Sequence, residues 1–150
     1  MPFRRATNQD LATLSAIAQR SKAHWGYPAA WLDAWRASLT LRPADLERFR
    51  IELLDEQGVV GFIAVRPSKP HAELEHLWLL PAAHGRGYGR TLVEHACALA
   101  REAGARTLQI DSDPYAEPFY RHMGARMIGK TPAAMAEAPE RYLPRLEIAL

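Results

Sequence analysis

The sequence predicts an α+β fold in which a mixed, largely antiparallel sheet is flanked by helices. Apolar residues recur at helical spacing in some segments and alternate at strand spacing in others. The order of these segments is β, α, α, β, β, β, α, β, α, β, β. A length of 150 residues predicts one domain, 1–150. With 48% hydrophobic and 24% charged residues, the composition excludes disordered and coiled-coil proteins.

In the first half of the chain, two helices are expected to precede three strands. Thr7 and Asp10 have the spacing of a capping box, and apolar residues at helical spacing predict a helix near 8–20. A second helical stretch is predicted around residues 28–39. The strands then follow, and the last of them ends at Pro81, which cannot donate to a ladder. Their predicted ranges are 49–53, 59–65 and 72–80.

The second half is predicted to alternate helices and strands. An apolar stripe predicts a helix over 89–103, and Gly104 is the expected stop. The pair Asp113 and Pro114 predicts the start of another helix, which stops at Gly124. The predicted strands of this half are 107–110, 125–129 and 143–150.

Charge and cysteine content exclude several classes of function. Lys plus Arg is 19 and Asp plus Glu is 17, and the two signs alternate along the chain, which argues against a nucleic-acid partner. One cysteine allows no intrachain disulfide, and the six histidines lack helical metal-site spacing, so no metal is expected. Without a signal-like start or an apolar run of about 20 residues, a soluble cytoplasmic protein with no membrane contact is expected.

A glycine-rich turn, His-Gly-Arg-Gly-Tyr-Gly-Arg at 84–90, lies between a predicted strand and a predicted helix. Backbone N–H groups in such a turn can approach an anion at a helix N-terminus. No acidic residue occurs from Pro81 to Val93, which favours a phosphate site over a tight turn with solvated arginines. The glycine spacing fits neither the dinucleotide motif G-x-G-x-x-G nor a phosphate-binding P-loop.

The turn resembles the signature of the GCN5-related N-acetyltransferase family, Arg/Gln-x-x-Gly-x-Gly/Ala, between a strand and a long helix. Residues 113–125 resemble the F-Y-x-x-x-G helix near the end of that family's domain. The order of the predicted elements also resembles the family's over nearly the whole chain. Two departures are His84, where the family usually has Arg or Gln, and Asp113, where many members have Asn.

This resemblance implies acetyl-CoA as the acyl donor. The pyrophosphate would bind the amides of 85–90, and the pantetheine arm would pair with 77–79 in a gap between that strand and 107–111. Trp78 has the alternative role of packing. The cofactor-binding residues implied in this way are Leu77, Trp78, Leu79, His84, Gly85, Arg86, Gly87, Tyr88, Gly89, Arg90, Asp113 and Tyr120.

The resemblance also suggests residues for the chemistry. Tyr120 would protonate the leaving thiolate, with a core aromatic as the alternative. Glu73 and Glu75 lie two residues apart on one strand and would act as general base, Glu73 ahead of Glu75. Leu77 and Leu79 would lie on the same face of the strand as the two glutamates if no bulge intervenes. The alternative for the two glutamates is a polar face exposed to solvent.

The acceptor is expected near an aromatic loop between the first two helices. His24, Trp25 and Tyr27 would line its pocket, with packing of the helix pair as the alternative. The function implied is direct acetyl transfer to a primary amine of a small molecule or peptide, without an acyl-cysteine. The rival functions are a non-catalytic acyl-CoA-binding sensor or interaction module and a nucleotide-binding regulatory domain. A homodimer is left open, since family members commonly dimerise.

Overall fold

The computed structural model describes residues 3–150, and its strands form one seven-stranded sheet with helices on both faces. The strand order is β1-β2-β3-β4-β5-β7-β6, and the pairing is antiparallel except between β4 and β5. The strands are β1 (Phe3–Arg5), β2 (Arg50–Asp55), β3 (Val59–Arg66), β4 (His71–Leu79), β5 (Thr107–Asp111), β6 (Arg126–Pro132) and β7 (Tyr142–Ala149). The helices are α1 (Leu11–Ala23), α2 (Ala29–Trp35), α3 (Pro43–Arg48), α4 (Tyr88–Glu102) and α5 (Glu117–His122).

The apolar pattern of β3 explains why both faces of the sheet are covered. Phe62 and Ala64 pack with α1 on one face, whereas Ile63 and Val65 pack with α4 on the other. Successive side chains of a strand point to opposite faces, so a continuous apolar run indicates burial on both sides. Among residues 3–150, no helix is long and apolar enough to cross a bilayer.

Several predicted boundaries differ from the structure. The second helix ends at Trp35 instead of Leu39, because the Ser38 and Thr40 hydroxyls donate to backbone carbonyls of the last turns. A further helix, α3, was not predicted. The last predicted helix is a 3-10 turn over Pro114–Ala116 that continues into α5.

A β-bulge in β4 changes which side chains share a face. Ala64 is paired with His76 and Val65 with Leu74, so Glu75 is an extra residue without its own partner on β3. Leu74, Leu77 and Leu79 therefore all contact the α4 side of the sheet. The expectation that Leu77 and Leu79 share the face of Glu73 is wrong, since the bulge reverses the alternation.

The two parallel strands of the sheet separate soon after they pair. Their register runs from His71 opposite Thr107 to Glu73 opposite Gln109 and ends there. The remaining six residues of β4 have no partner strand on that side, whereas β5 stays paired with β7 to its end at Asp111. The separation leaves an open edge of β4 at the centre of the sheet, where the sequence predicted a gap.

Candidate active site

A cavity of about 600 Å³ lies where β4 and β5 separate. Its walls come from the free edge of β4, the glycine-rich turn, the end of α1, and the segment from the end of β5 to α5. A smaller cleft of about 340 Å³ lies at the other end of β2 and β3, beside Phe49 and Arg50. The larger cavity is lined by Ser21, Lys22, Trp25, Leu74, Glu75, His76, Leu77, Trp78, Leu79, His84, Gly85, Gly87, Gly89, Arg90, Ile110, Asp111, Ser112, Asp113, Tyr115, Ala116, Phe119, Tyr120, His122, Met123 and Leu143.

The glycine-rich turn presents backbone N–H groups at one end of this cavity. Gly87 precedes α4 with a φ of 81°, and Gly85 has a φ of 80°, a left-handed conformation that favours glycine. The Gly87 carbonyl accepts from the Thr91 N–H at 3.2 Å, so the amides of the first turn before Thr91 have no intrahelical acceptor. This geometry suits a phosphate group.

The third glycine of the turn serves packing. A Cβ at Gly89 would lie 3.0 Å from Cε1 of Phe119, so glycine lets the start of α4 approach α5 closely. Arg90 lines the cavity, whereas Tyr88 packs against the core and the exposed Arg86 lies outside the cavity. Two of the predicted cofactor residues, Arg86 and Tyr88, therefore have no side chain at the cavity wall.

The end of β4 is anchored by two side chains from other elements. The Ser21 hydroxyl of α1 donates to the Leu79 carbonyl at 3.0 Å, and His84 Nε2 lies 3.3 Å from the same oxygen. His84 also meets the edge of the His24 ring, with the ring centroids 5.5 Å apart. Leu77 and Trp78, like Leu79, line the cavity, so its apolar wall is the strand predicted to pair with the acyl donor.

Tyr120 is a buried residue of α5 that lines the cavity. In residues 3–150, every fully buried side-chain N or O atom has a hydrogen-bond partner. The Tyr120 hydroxyl has no such partner among these residues, so it is not fully buried and must reach the surface of the cavity. Burial, with the nearby Asp113 carboxylate second, raises the pKa of the phenol well above 10. Tyr120 thus holds its proton at neutral and alkaline pH.

The two predicted carboxylates have different surroundings. Glu73 accepts two hydrogen bonds from Arg145, at 2.6 and 2.7 Å, and does not line the cavity. Glu75, the bulge residue, lines the cavity and lies 3.2 Å from Arg66 Nε. Of the two acids, therefore, only Glu75, the residue at the bulge, lies at the cavity wall.

Asp113 lies in a partly buried ionic cluster. Its carboxylate accepts from Lys22 Nζ at 2.6 Å, from the Tyr27 hydroxyl at 2.9 Å, and from the Tyr115 backbone N–H at 2.9 Å. The Asp113 oxygens are thus occupied by groups of this chain, although the resemblance implied a cofactor contact. Burial raises the pKa of the Tyr27 phenol to about 12 and lowers that of the Lys22 ammonium.

The predicted acceptor loop lies only partly at the cavity. Trp25 lines it and stacks on Tyr115, with ring centroids 5.3 Å apart, whereas His24 and Tyr27 lie outside the wall. Tyr27 instead packs edge-on against Trp35 at 4.9 Å and supports Asp113.

Comparison with known proteins identifies the fold and the family. The model of the acetyltransferase (GNAT) family matches residues 12–125. The chain belongs to this family. The α+β class and the resemblance to GCN5-related N-acetyltransferases are thereby confirmed, and the element order agrees except for α3, which was not predicted.

Solved GNAT structures share the whole architecture at low sequence identity. The PaiA N-acetyltransferase of Thermoplasma acidophilum, in complex with coenzyme A, has a TM-score of 0.79 at 18% identity, over 99% of this chain and 98% of its own. A GCN5-related N-acetyltransferase from Rhodopseudomonas palustris has a TM-score of 0.78 at 23% identity, over 99% and 95%. YncA from Salmonella typhimurium, with its cofactor acetyl-CoA, has a TM-score of 0.69 at 18% identity, over 100% and 94%.

Sequence reasoning missed several residues of the cavity in this GNAT member. Lys22 lies in the last turn of α1, where a cation is typical of any helix end, so its contact with Asp113, 91 residues away, left no local signal. Tyr115 and Phe119 belong to the recognised second motif, which predicted their helix but not their contacts with Trp25 and Gly89.

Proposed function

We propose that the protein transfers the acetyl group of acetyl-CoA directly to a primary amine of a small molecule or peptide. The observation that carries this proposal is one continuous cavity that joins the free edge of β4 to the glycine-rich turn. An extended amide-containing arm can pair with an open strand edge, while a diphosphate binds free amides at a helix N-terminus. Membership of the family and the coenzyme A complexes of its relatives support the same donor.

The cavity contains a proton acceptor and a proton donor for this reaction. The amine nitrogen forms a bond to the thioester carbon, and the carbon–sulfur bond breaks. Glu75 takes the proton that the amine loses, directly or through one water, and Tyr120 gives its proton to the departing thiolate. Since the nitrogen must be neutral to attack, kcat/KM rises with pH from neutral to alkaline values.

The position of the only cysteine supports direct transfer. Cys97 is buried inside α4 and does not line the cavity. Burial also raises the pKa of its thiol, which lowers the fraction of reactive thiolate. An acyl-cysteine intermediate is therefore not part of the proposal.

A charge placed in the glycine-rich turn is expected to weaken acetyl-CoA binding. Gly87→Asp puts a carboxylate beside the proposed diphosphate, while the neutral Gly87→Asn tolerates the same left-handed backbone almost equally well. A Cβ at Gly87 meets no atom within 4 Å, so both side chains have space. Calorimetry should give the Asp variant a Kd at least tenfold above that of the Asn variant, about 1.4 kcal/mol. Equal affinities would place the diphosphate elsewhere.

The two glutamates of β4 are expected to differ when each is neutralised. Glu75→Gln removes the base at the cavity and should lower kcat/KM for amines about tenfold or more, while acetyl-CoA binds as before. Glu73→Gln is the matched control, since it lies on the same strand and its carboxylate contacts Arg145 outside the cavity. A larger loss in the Glu73 variant would assign the base to Glu73.

An acceptor screen tests the proposed function. The protein is mixed with acetyl-CoA and a panel of small amines and peptides, and released thiol is measured together with acetylated product by mass spectrometry. We expect thiol and acetylated amine in equal amounts for at least one primary amine. Binding of acetyl-CoA without turnover across the panel would favour the sensor, and a thermal shift with NAD or ATP instead would favour the regulatory domain.

A further inference from the structure

Lys22 is a buried ammonium group at the wall of the cavity. Its Nζ lies 2.6 Å from Asp113 Oδ2, and the two side chains are 12% and 10% exposed. The same nitrogen lies 4.3 Å from the centroid of the Trp35 ring and 5.0 Å from that of Tyr27. Carboxylate and aromatic faces therefore surround the ammonium, so these two rings are occupied by a cation of the chain itself.

Asp113 connects this ammonium to the helix that carries Tyr120. Asp113 is the N-cap residue of the 3-10 turn that continues into α5, and its carboxylate accepts from the Tyr115 N–H. Its other contacts come from α1 and from the loop before α2, through Lys22 and Tyr27. The ion pair thus joins the end of α1 to the start of the α5 segment at the wall of the cavity.

The charge on Asp113 makes Lys22 necessary. A carboxylate held mostly away from water is costly without a counterion, and the Asp113 side chain is only 10% exposed. The carboxylate also lies near enough to Tyr120 to raise the pKa of the phenol. A cation on Asp113 reduces that effect and keeps the phenol a better proton donor.

We propose that Lys22 is a positioning residue, which acts through Asp113 to fix the α5 segment and with it the place of Tyr120 in the cavity. This role rests on the proposed acetyl transfer. The reaction steps remain those of Glu75 and Tyr120, and Lys22 itself exchanges no proton with the substrate.

The pH dependence of activity distinguishes a role of the Lys22 charge from a role in packing alone. Burial lowers the pKa of Lys22 below 10.5, and the nearby Arg141 lowers it further, while Asp113 opposes both effects. The other groups around Lys22 are Tyr27, whose pKa of about 12 keeps it neutral, and the uncharged Trp35 ring. Burial thus disfavours the charged form of Lys22, whereas an arginine at this position would keep its charge.

The test compares Lys22→Met and Lys22→Arg in the full chain, at saturating acetyl-CoA and acceptor. Lys22→Met should lower kcat about tenfold or more, since small displacements of a catalytic group are costly, while KM for acetyl-CoA changes less than twofold. Lys22→Arg should keep most of the rate and extend activity to higher pH than wild type. Arg121→Met is the control, because its pair with Glu117 lies on the exposed side of α5.

Two results would overturn the role of Lys22. One is a folded Lys22→Met protein with the kcat of wild type. The other is a Lys22→Arg protein whose activity changes with alkaline pH in the same way as that of wild type. If the Met variant does not fold, the comparison of wild type with Lys22→Arg still decides. A wild type that binds acetyl-CoA but acetylates no amine contradicts the proposed function instead, and circular dichroism and calorimetric affinity distinguish the two cases.

Discussion

Tyr120→Phe is expected to lower kcat about 100-fold or more while acetyl-CoA binds with nearly unchanged affinity. The substitution removes one hydroxyl that reaches the cavity and leaves the buried ring in place. A phenol whose pKa is raised by burial is protonated throughout the neutral and alkaline range, so it is available whenever a thiolate leaves. Without it, the thiolate must depart unprotonated or take a proton from water.

Tyr142→Phe is the matched control for this experiment. Tyr142 lies on β7, is partly exposed and does not line the cavity, so its hydroxyl is expected to be irrelevant to turnover. Single-turnover rates of both variants, measured with the same amine, separate the chemical step from product release. Wild-type turnover by Tyr120→Phe would assign the residue to packing alone.

Phe62→Ala is expected to destabilise the fold by about 3–5 kcal/mol. Phe62 is fully buried on β3 in the core beneath α1, and it belongs to the group of largest buried side chains. Its removal leaves a cavity that the close-packed sheet can fill only in part. The loss should lower Tm by about 10 °C in calorimetric melting.

Ile128→Ala serves as the comparison for the core substitution. Ile128 is an exposed residue of the edge strand β6, so the loss of its apolar atoms should change stability by less than about 0.5 kcal/mol. Similar losses of stability in the two variants would contradict the placement of Phe62 in the core between β3 and α1.

Elements with a strong repeating pattern were predictable from the sequence. The stripe that includes Leu92, Val93 and Ala96 predicted α4 to within one residue at each end, because one helix face is buried continuously. The helix α3 has only six residues, and its start depends on Pro43 and on the Asp45 cap, signals too local to stand out. The bulge at Glu75 leaves only a weak trace, a change of phase from apolar residues at 72 and 74 to apolar residues at 77 and 79, and Trp78 at the alternate position obscures it.

The part of the candidate site that consists of backbone groups was predictable from the sequence. Gly85 and Gly87 have a positive φ, a local backbone conformation that favours glycine, so the glycines themselves indicate the turn. Side-chain partners depend on tertiary contacts, so neither the Arg145 partner of Glu73 nor the Lys22 partner of Asp113 could be inferred. Those two ion pairs occupy the carboxylates of Glu73 and Asp113 with groups of the chain itself.

Hydrogen exchange with and without acetyl-CoA tests most directly whether the donor lies between β4 and β5 on the glycine-rich turn. Saturating acetyl-CoA should slow exchange of amides in 74–79 and 85–90, where β4 has no partner strand on the β5 side and α4 begins. Exchange near Phe49 and Arg50, at the smaller cleft, should stay unchanged. Protection at that cleft, or no change in 74–90 when acetyl-CoA is bound, would contradict the proposed site.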